Sequence, residues 1–205
     1  MIAKEGFPFI VGAFVLFFIF LLLPKWLLVT LTLVFGVFFL VFFRDPERTV
    51  PPFKKVAVSG ADGRVVEIVD EHVDDVEYKK VSVFMNVFNV HVNRMPVSGK
   101  IVSIEHRPGK FMPADKPESS LENEQNIIRI QTEYGDVIVK QVAGLVARRT
   151  VCYSKEGETL QMGDRLGIIK FSSRVDHYFP KGTFIAVNIG DTVRAGETVI
   201  ARFES

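Results

Sequence analysis

The sequence has very little cysteine and no excess of either charge, and both shortages exclude classes of protein. Its 205 residues include one cysteine, Cys152, so an internal disulfide is impossible and the chain fits a reducing compartment. The formal net charge is +1, which provides no basic surplus for nucleic acid. We therefore expect no nucleic-acid partner.

Motifs for metals and for phosphate loops are also lacking. The four histidines and the single cysteine show no ligand spacing, and neither CxxC nor HxxxH occurs. The two common kinds of glycine-rich phosphate loop are missing as well. The sequence therefore predicts no metal site and no phosphate loop of these kinds.

Apolar residues are abundant near the N-terminus. Phe7 to Leu23 is a run of 17 residues without a charge, and Trp26 to Phe43 provides 18 more. A helix of the first length spans about 26 Å, slightly less than a hydrocarbon core of about 30 Å, so we interpret the two runs together as a helical hairpin. Its turn would lie at Pro24–Lys25. A secretory signal peptide is disfavoured because no small-residue cleavage site follows.

Cations on either side of the two apolar runs predict how this anchor is oriented. One precedes the first run and four follow the second: Lys4, then Arg44, Arg48, Lys54 and Lys55. By the positive-inside rule, both ends of the hairpin lie in the cytoplasm. We therefore predict an anchor in the cell membrane over residues 1–44, a proline-rich linker over 45–55, and a domain over 56–205 on the cytoplasmic side.

The remainder of the chain has the sequence pattern of a β protein. After residue 55 no sustained apolar period of 3.6 residues occurs; instead, short runs rich in Val, Ile and Phe, such as Val81 to Val90, end at Gly, Pro or Asp. Gly-Asp turns recur in Leu160 to Phe171 and Val187 to Phe203, with a spacing also found in hammerhead β-sandwiches. We predict a mainly β fold, an antiparallel barrel or sandwich with hammerhead-like Gly-Asp turns, behind the helical hairpin. The proline-rich region Arg107 to Asn126 is predicted to be a functional loop.

Several segments together resemble one enzyme family. In chain order they are Ala61-Asp62-Gly63, Phe84 to Gly99 (FMNVFNVHVNRMPVSG), His106 to Asn126, Lys140 to Arg149 (KQVAGLVARR) and Gly167 to Asp176 (GIIKFSSRVD). In this order, behind an apolar anchor, they resemble the phosphatidylserine decarboxylases, specifically the short branch of archaea and many bacteria. The resemblance implies pyruvoyl-dependent decarboxylation of phosphatidylserine to phosphatidylethanolamine at the membrane surface.

The resemblance also implies a proenzyme that cuts itself between Ser172 and Ser173. The Ser173 hydroxyl attacks the preceding carbonyl, elimination releases the upstream chain as a carboxylate, and hydrolysis with loss of ammonia leaves a pyruvoyl ketone. That ketone would form a Schiff base with the substrate amine and accept electrons as CO₂ leaves. The products, residues 1–172 (β chain) and 173–205 (α chain), would stay together as a heterodimer that is open to further oligomerisation.

The chain departs from the family at Ser172, where the family has glycine. Glycine can hold strained backbone angles, whereas serine costs about 1 kcal/mol or more if φ is positive. The attacking hydroxyl of Ser173 is retained, so the chemistry remains possible. Two outcomes stay open at this point, slower processing or a chain that stays uncleaved.

Other site residues follow from the same resemblance. His91 would transfer protons, with an ordinary pKa near ~6.5, and Asp62 would orient it as in a catalytic triad. The non-catalytic alternatives are that His91 is a structural histidine and that Asp62 only stabilises a turn. Arg94 replaces a second histidine of the long branch and could pair with a carboxylate or phosphate. Arg148 and Arg149 could meet the lipid phosphate, but on a strand at most one faces the site.

Two other functions stay open from the sequence alone. A non-enzymatic, membrane-anchored lipoyl- or biotinyl-like hammerhead adaptor would explain the anchor and the Gly-Asp turns, but the chain has no Met-Lys-like pair and no heptads. A serine hydrolase would normally carry a G-x-S-x-G elbow, which is missing. The decarboxylase differs from both in predicting two chains, one with a blocked keto N-terminus.

Overall fold

A computed structural model describes residues 1–204 apart from Pro24, Phe111, 113–118, 145–149 and 171–172. The chain divides into two compact units, Met1–Glu47 and Arg48–Ser205. The first unit is helical and the second is mainly β.

The first unit is a pair of apolar helices. After a 3-10 turn at Lys4–Gly6 come α1 (Phe7–Leu21) and α2 (Trp26–Phe42). The helices pack closely, since the Phe9 and Phe39 ring centroids are 5.4 Å apart. Among the described residues, one helical stretch, Lys4–Leu21, is long and apolar enough to cross a membrane, and α2 is shorter. The predicted hairpin of apolar helices is confirmed, and its crossing of a membrane stays a prediction.

The second unit is built from short and medium-length strands. In chain order they are β1 (Val56–Val58), β2 (Gly63–Val73), β3 (Val76–Met85), β4 (Val92–Arg94), β5 (Gly99–Arg107), β6 (Gln125–Thr132), β7 (Gly135–Ala143), β8 (Thr150–Cys152), β9 (Thr159–Leu160), β10 (Arg165–Ile169), β11 (Ser173–Pro180), β12 (Phe184–Ile185), β13 (Thr192–Val193) and β14 (Val199–Arg202). One short helix, α3 (Ser119–Glu122), precedes β6.

These strands form three antiparallel sheets within the part of the chain that is described. The largest has eight strands in the order β13-β2-β3-β11-β7-β6-β5-β9, and two three-stranded sheets have the orders β1-β14-β12 and β4-β10-β8. In the large sheet β11 is hydrogen-bonded to β3 on one side and to β7 on the other. The predicted mainly β, antiparallel fold class is confirmed.

The repeated Gly-Asp sequence corresponds to a repeated turn. Gly163 has φ +89° and Gly190 has φ +98°, a region that favours glycine. In each turn the following aspartate accepts a hydrogen bond from an amide three residues earlier: Gln161 N to Asp164 Oδ2 at 2.7 Å, and Asn188 N to Asp191 Oδ2 at 2.8 Å. The hammerhead-like turns predicted from the sequence are therefore present as a local structure.

The two faces of β11 have different surroundings. Val175 and Phe179 belong to the main hydrophobic core. Arg174 and Asp176 form an ion pair with each other. Because successive side chains of a strand point to opposite faces, Ser173 shares the core side with Val175, and the ion pair lies on the other side.

Candidate active site

Ser173 is the first residue of β11 and lies between two strands. Met85 of β3 is opposite it on one side and Ala143 of β7 on the other. The residue is fully buried, and its Oγ has no hydrogen-bond partner among the described residues. Buried hydroxyl groups in native proteins are normally satisfied, so an unsatisfied hydroxyl at this position requires a physical explanation.

His91 lies directly before β4 and is also fully buried. Its Nδ1 is 3.0 Å from the carbonyl oxygen of Asn89. A carbonyl only accepts hydrogen bonds, so this contact places the proton on Nδ1 and leaves Nε2 as the basic nitrogen. The His91 carbonyl accepts a 3.3 Å hydrogen bond from the amide of Ile169, the last residue of β10. Ile169 lies four positions before Ser173 in the chain. The segments that carry His91 and Ser173 are therefore neighbours.

Asp62 lies in the turn before β2, and its carboxylate is held by Arg48. The Arg48 Nη2 donates to both carboxylate oxygens, at 2.9 and 2.8 Å. The amide of Ala195 donates to Oδ1 at 2.8 Å. Among the described residues, these are the hydrogen-bond partners of the carboxylate, and His91 is not one of them. The predicted orienting role of Asp62 stays a prediction.

Arg94 connects the Asp62 turn to β4. Its amide donates to the carbonyl of Gly60 at 2.8 Å, and its Nη1 donates to the carbonyl of Gly163 at 2.9 Å. The turn that carries Asp62 therefore adjoins β4 three residues after His91. The structure brings the two elements together, although it does not join the carboxylate to the imidazole.

The proline-rich segment after β5 is tied to the strand beside Ser173. Asn123 Nδ2 donates to the carbonyl of Ala143 at 2.7 Å and to the carbonyl of Met112 at 2.8 Å. Since Ala143 is opposite Ser173, Asn123 joins the loop to the candidate site. The remaining predicted site residues lie outside the described residues: Ser172, Arg148 and Arg149.

Comparison with known proteins identifies the family. A family model for phosphatidylserine decarboxylase matches residues 35–201. A phosphatidylserine decarboxylase proenzyme of Nitrosomonas europaea is 47% identical over 206 residues, covering 99% of this chain and 95% of the relative. A proenzyme of the same name from Syntrophus aciditrophicus is 43% identical over 208 residues, covering 98% of this chain and 97% of the relative. The chain belongs to the phosphatidylserine decarboxylase family.

Membership of the phosphatidylserine decarboxylase family confirms the predicted enzyme class. The resemblance read from the five segments is confirmed with it, and the match includes Ser173, His91 and Asp62 within residues 35–201. The adaptor and hydrolase alternatives lose their support. Within the described part of the chain, no group of three or more His, Cys, Asp or Glu residues is arranged to hold a metal ion. The roles of individual residues stay predictions.

A buried row of amide side chains was not predicted from the sequence. His106 Nδ1 is 2.9 Å from Asn126 Oδ1, Asn126 Nδ2 donates to Gln141 Oε1 at 3.1 Å, and Gln141 Nε2 donates to Asn93 Oδ1 at 2.9 Å. Asn93 Nδ2 contacts the Met85 sulfur at 3.6 Å. The row therefore ends at the strand neighbour of Ser173. Its signal in the sequence is that polar residues interrupt otherwise apolar strands.

His177, which falls in no family motif, is a buried link between strands. Its Nε2 accepts a 2.8 Å hydrogen bond from the amide of Gly60, and its Nδ1 donates to the carbonyl of Val81 at 3.1 Å. Burial lowers the pKa of His177 to about 4, so the ring is neutral at pH 7. Its two hydrogen bonds require this neutral form, which indicates a structural role.

Proposed function

We propose that this chain cleaves itself between Ser172 and Ser173 and then decarboxylates phosphatidylserine to phosphatidylethanolamine at the membrane. One observation carries the proposal. The buried Ser173 hydroxyl, without a hydrogen-bond partner among the described residues, stands where the family resemblance puts the processed serine. A hydroxyl that is not engaged elsewhere is available to attack the adjacent carbonyl carbon.

Self-cleavage would begin with the Ser173 Oγ. It attacks the Ser172 carbonyl carbon, the C–N bond breaks, and the Oγ proton ends on the Ser173 nitrogen, which gives an ester. Loss of the Ser173 Cα proton and cleavage of the Cβ–Oγ bond then release residues 1–172 as a carboxylate. The remaining enamine takes up water and loses ammonia, leaving a ketone at residue 173. No outside oxidant or reductant is needed.

The fit of Ser173 to a pyruvoyl group is supported by its surroundings. The residue is fully buried, and the residues opposite it, Met85 and Ala143, have uncharged side chains. A pyruvoyl group is small and uncharged, so it suits this environment. When present, the pyruvoyl group supplies an electrophilic carbonyl that holds the substrate amine and accepts electrons from the breaking bond. Burial of residue 173 would keep competing water away from this carbonyl.

His91 is proposed to move protons in both stages. Its basic Nε2 would take the Ser173 hydroxyl proton during maturation and later handle the proton that replaces CO₂. Asp62 is proposed to orient His91. Because the Nδ1–H of His91 donates to the carbonyl of Asn89, a direct hydrogen bond from the imidazole to the Asp62 carboxylate requires exchange of that contact. Arg94, Arg148 and Arg149 are the proposed partners of the substrate phosphate or carboxylate.

The two fragments are proposed to remain one heterodimer at the cytoplasmic face of the cell membrane. The strand pairing supports this, since β11 of residues 173–205 is hydrogen-bonded on both sides by β3 and β7 of residues 1–172. The apolar stretch Lys4–Leu21 supports a membrane anchor. The cations that flank the apolar runs support the cytoplasmic side.

Intact mass of the full-length protein, purified in detergent, tests the proposal. We expect two chains, 1–172 and 173–205, with the smaller one gaining the mass of a carbonyl-reactive amine. Ser173→Ala should give one uncleaved chain without lipid decarboxylation, whereas the matched variant Ser172→Ala should still be cut. If Ser173→Ala still decarboxylates phosphatidylserine, the pyruvoyl mechanism is wrong.

A further inference from the structure

Arg174, the residue directly after Ser173, has an almost completely buried guanidinium group. Its side chain is 1% exposed. Arginine is rarely buried to this degree unless it is paired. The proposed cleavage makes Arg174 the second residue of the small chain, so whatever holds its side chain also holds the group formed from Ser173.

Among the described residues, three groups hold the guanidinium, and they come from both sides of the cleavage site. Its Nε donates to Asp176 Oδ1 at 2.5 Å. Its Nη2 donates to Ser82 Oγ at 2.7 Å and to Glu67. Asp176 follows the cleavage site in the chain, whereas Glu67 and Ser82 precede it by about a hundred residues. The guanidinium therefore joins the two chains one residue from the reacting carbonyl.

The electrostatics of the cluster keep its groups charged. Burial by itself would lower the pKa of Arg174, but the carboxylates of Asp176 and Glu67 outweigh it and raise that pKa. Burial would raise the pKa of Asp176, but Arg174 outweighs it, so the carboxylate stays ionised. Lys80 adds a second cation, 3.0 Å from Glu67 and 2.5 Å from Glu71. The ion pairs are thus mutually dependent, and they fix the side chains that form them.

After cleavage, the start of the small chain depends on this cluster to hold it in place. The nitrogen of residue 173 leaves as ammonia, so the new chain end has neither a backbone N–H nor an ammonium charge. The residues opposite it, Met85 and Ala143, offer no ionic partner. Arg174 is then the first residue of the small chain with both an amide donor and a charged side chain. Chain ends fray when they are not tied down.

We propose that Arg174, held by Glu67, Ser82 and Asp176, is a positioning residue that fixes the pyruvoyl end of the small chain for turnover. The inference rests on the proposed cleavage before Ser173. It goes beyond a role in stability, because displacement of a reacting group by about 1 Å can reduce a rate by about 10²-fold. A looser pyruvoyl end would still form but would react more slowly with bound substrate.

Two glutamates of β2 provide a matched pair of variants. Lys80 contacts the carboxylates of both Glu67 and Glu71, but of the two only Glu67 contacts Arg174. In full-length protein, the pyruvoyl group is titrated with a carbonyl-reactive amine, and turnover of phosphatidylserine is expressed per titrated group. For Glu67→Gln we expect complete cleavage and a kcat about tenfold lower with little change in KM. Glu71→Gln should keep kcat within about twofold.

Conservative replacement of Arg174 itself adds a rescue test. Arg174→Lys keeps the charge but loses the fork geometry, so its kcat should lie between those of the wild type and Arg174→Gln. If Arg174→Gln fails to fold, the glutamate pair decides. Full kcat in Glu67→Gln, or equal losses in Glu67→Gln and Glu71→Gln, would overturn the inference while leaving cleavage at Ser173 intact. A wild-type chain without a titratable carbonyl would overturn the proposed function, and the inference with it.

Discussion

The two faces of β11 differ in how completely their polar groups are satisfied. On the core face, the Ser173 hydroxyl is buried without a hydrogen-bond partner among the described residues. On the opposite face, Arg174 and Asp176 are buried as an ion pair, and Asp176 also accepts a 2.6 Å hydrogen bond from Ser120 Oγ. One strand therefore carries an unengaged hydroxyl and a dense ionic cluster at consecutive positions.

The two faces of β11 meet different physical requirements. A nucleophilic hydroxyl is useful when it is not committed to a hydrogen bond, but leaving it uncommitted in the interior is costly. Buried charges are tolerated only when they are paired, and once paired they specify geometry. The alternation of a strand allows both requirements to be met within two residues. Substitution of Ser173 should therefore block self-cleavage, whereas substitutions in the ionic cluster should change stability and the turnover of protein that is already cleaved.

The largest expected effect is on the ionic face. Asp176→Ala removes the fully buried carboxylate and leaves the Arg174 guanidinium with Glu67 as its remaining ion-pair partner among the described residues. Breaking a buried ion pair in this way should lower the free energy of unfolding by about 3–5 kcal/mol. Denaturant unfolding of the full chain in detergent measures it. Asp136→Ala, at an exposed carboxylate, is the control and should change stability little. Equal losses of unfolding free energy in both variants would show that the buried ion pair contributes no more to stability than an exposed carboxylate.

A pH dependence should distinguish the two faces next. The pKa of His177 is about 4 in the folded protein and about 6.5 when unfolded, so the unfolded chain binds the proton more strongly. Stability from His177 is therefore complete above about pH 6.5 and is lost as the pH falls toward 4, by about 3 kcal/mol. The pKa values of Asp176 and Glu67 are lowered instead, so their contribution is lost only in more acidic solution.

Unfolding curves measured between pH 7 and pH 4 test this assignment. The wild type should lose stability across that range, and His177→Gln should show a flatter profile because the titrating ring is gone. His72→Gln, at an exposed position, should keep the wild-type slope. A wild-type profile that is flat down to pH 4 would contradict the buried, neutral state of His177.

Catalysis should depend on His91 more than on the histidines outside the site. His91→Ala removes the proposed base and should slow self-cleavage or lipid turnover by about 10²-fold. Asp62→Asn keeps the size of the side chain but not its charge, so a smaller loss of the same step is expected. Self-cleavage after synthesis is followed on a denaturing gel, and lipid turnover is followed by release of CO₂. His72→Ala is the control. Normal rates in His91→Ala would return His91 to a structural role.

The sequence predicted elements better than it predicted partners. Runs of Val, Ile and Phe indicated strands, and Gly-Asp pairs indicated turns, because both depend on neighbours in the chain. The pairing of Arg174 with Glu67 spans 107 positions and depends on β3 lying between β2 and β11. Periodicity carries no information about that strand order. For the same reason, the bond of Asp62 to Arg48 was not foreseen, although both residues were noted individually.

The smallest expected effect concerns Tyr178, on the ionic face four residues beyond Arg174. Its hydroxyl donates to Glu71 at 3.1 Å, and Lys140 Nζ lies 4.6 Å from the ring centroid. Burial raises the pKa of Tyr178, so the phenol stays protonated and acts as a donor. Tyr178→Phe keeps the ring over which Lys140 lies and removes one hydrogen bond to a carboxylate. The free energy of unfolding should fall by about 1–2 kcal/mol.

Turnover per titrated pyruvoyl group should stay unchanged in Tyr178→Phe, because Tyr178 makes no contact with the Arg174 guanidinium among the described residues. This combination, a loss of stability without a loss of kcat, distinguishes Tyr178→Phe from Glu67→Gln, for which we expect kcat to fall. Unfolding in detergent and steady-state kinetics on the same preparation measure the two quantities together. If Tyr178→Phe lowered kcat as much as Glu67→Gln, the ionic face would act on turnover through general stability. The specific link through Arg174 would then be unnecessary.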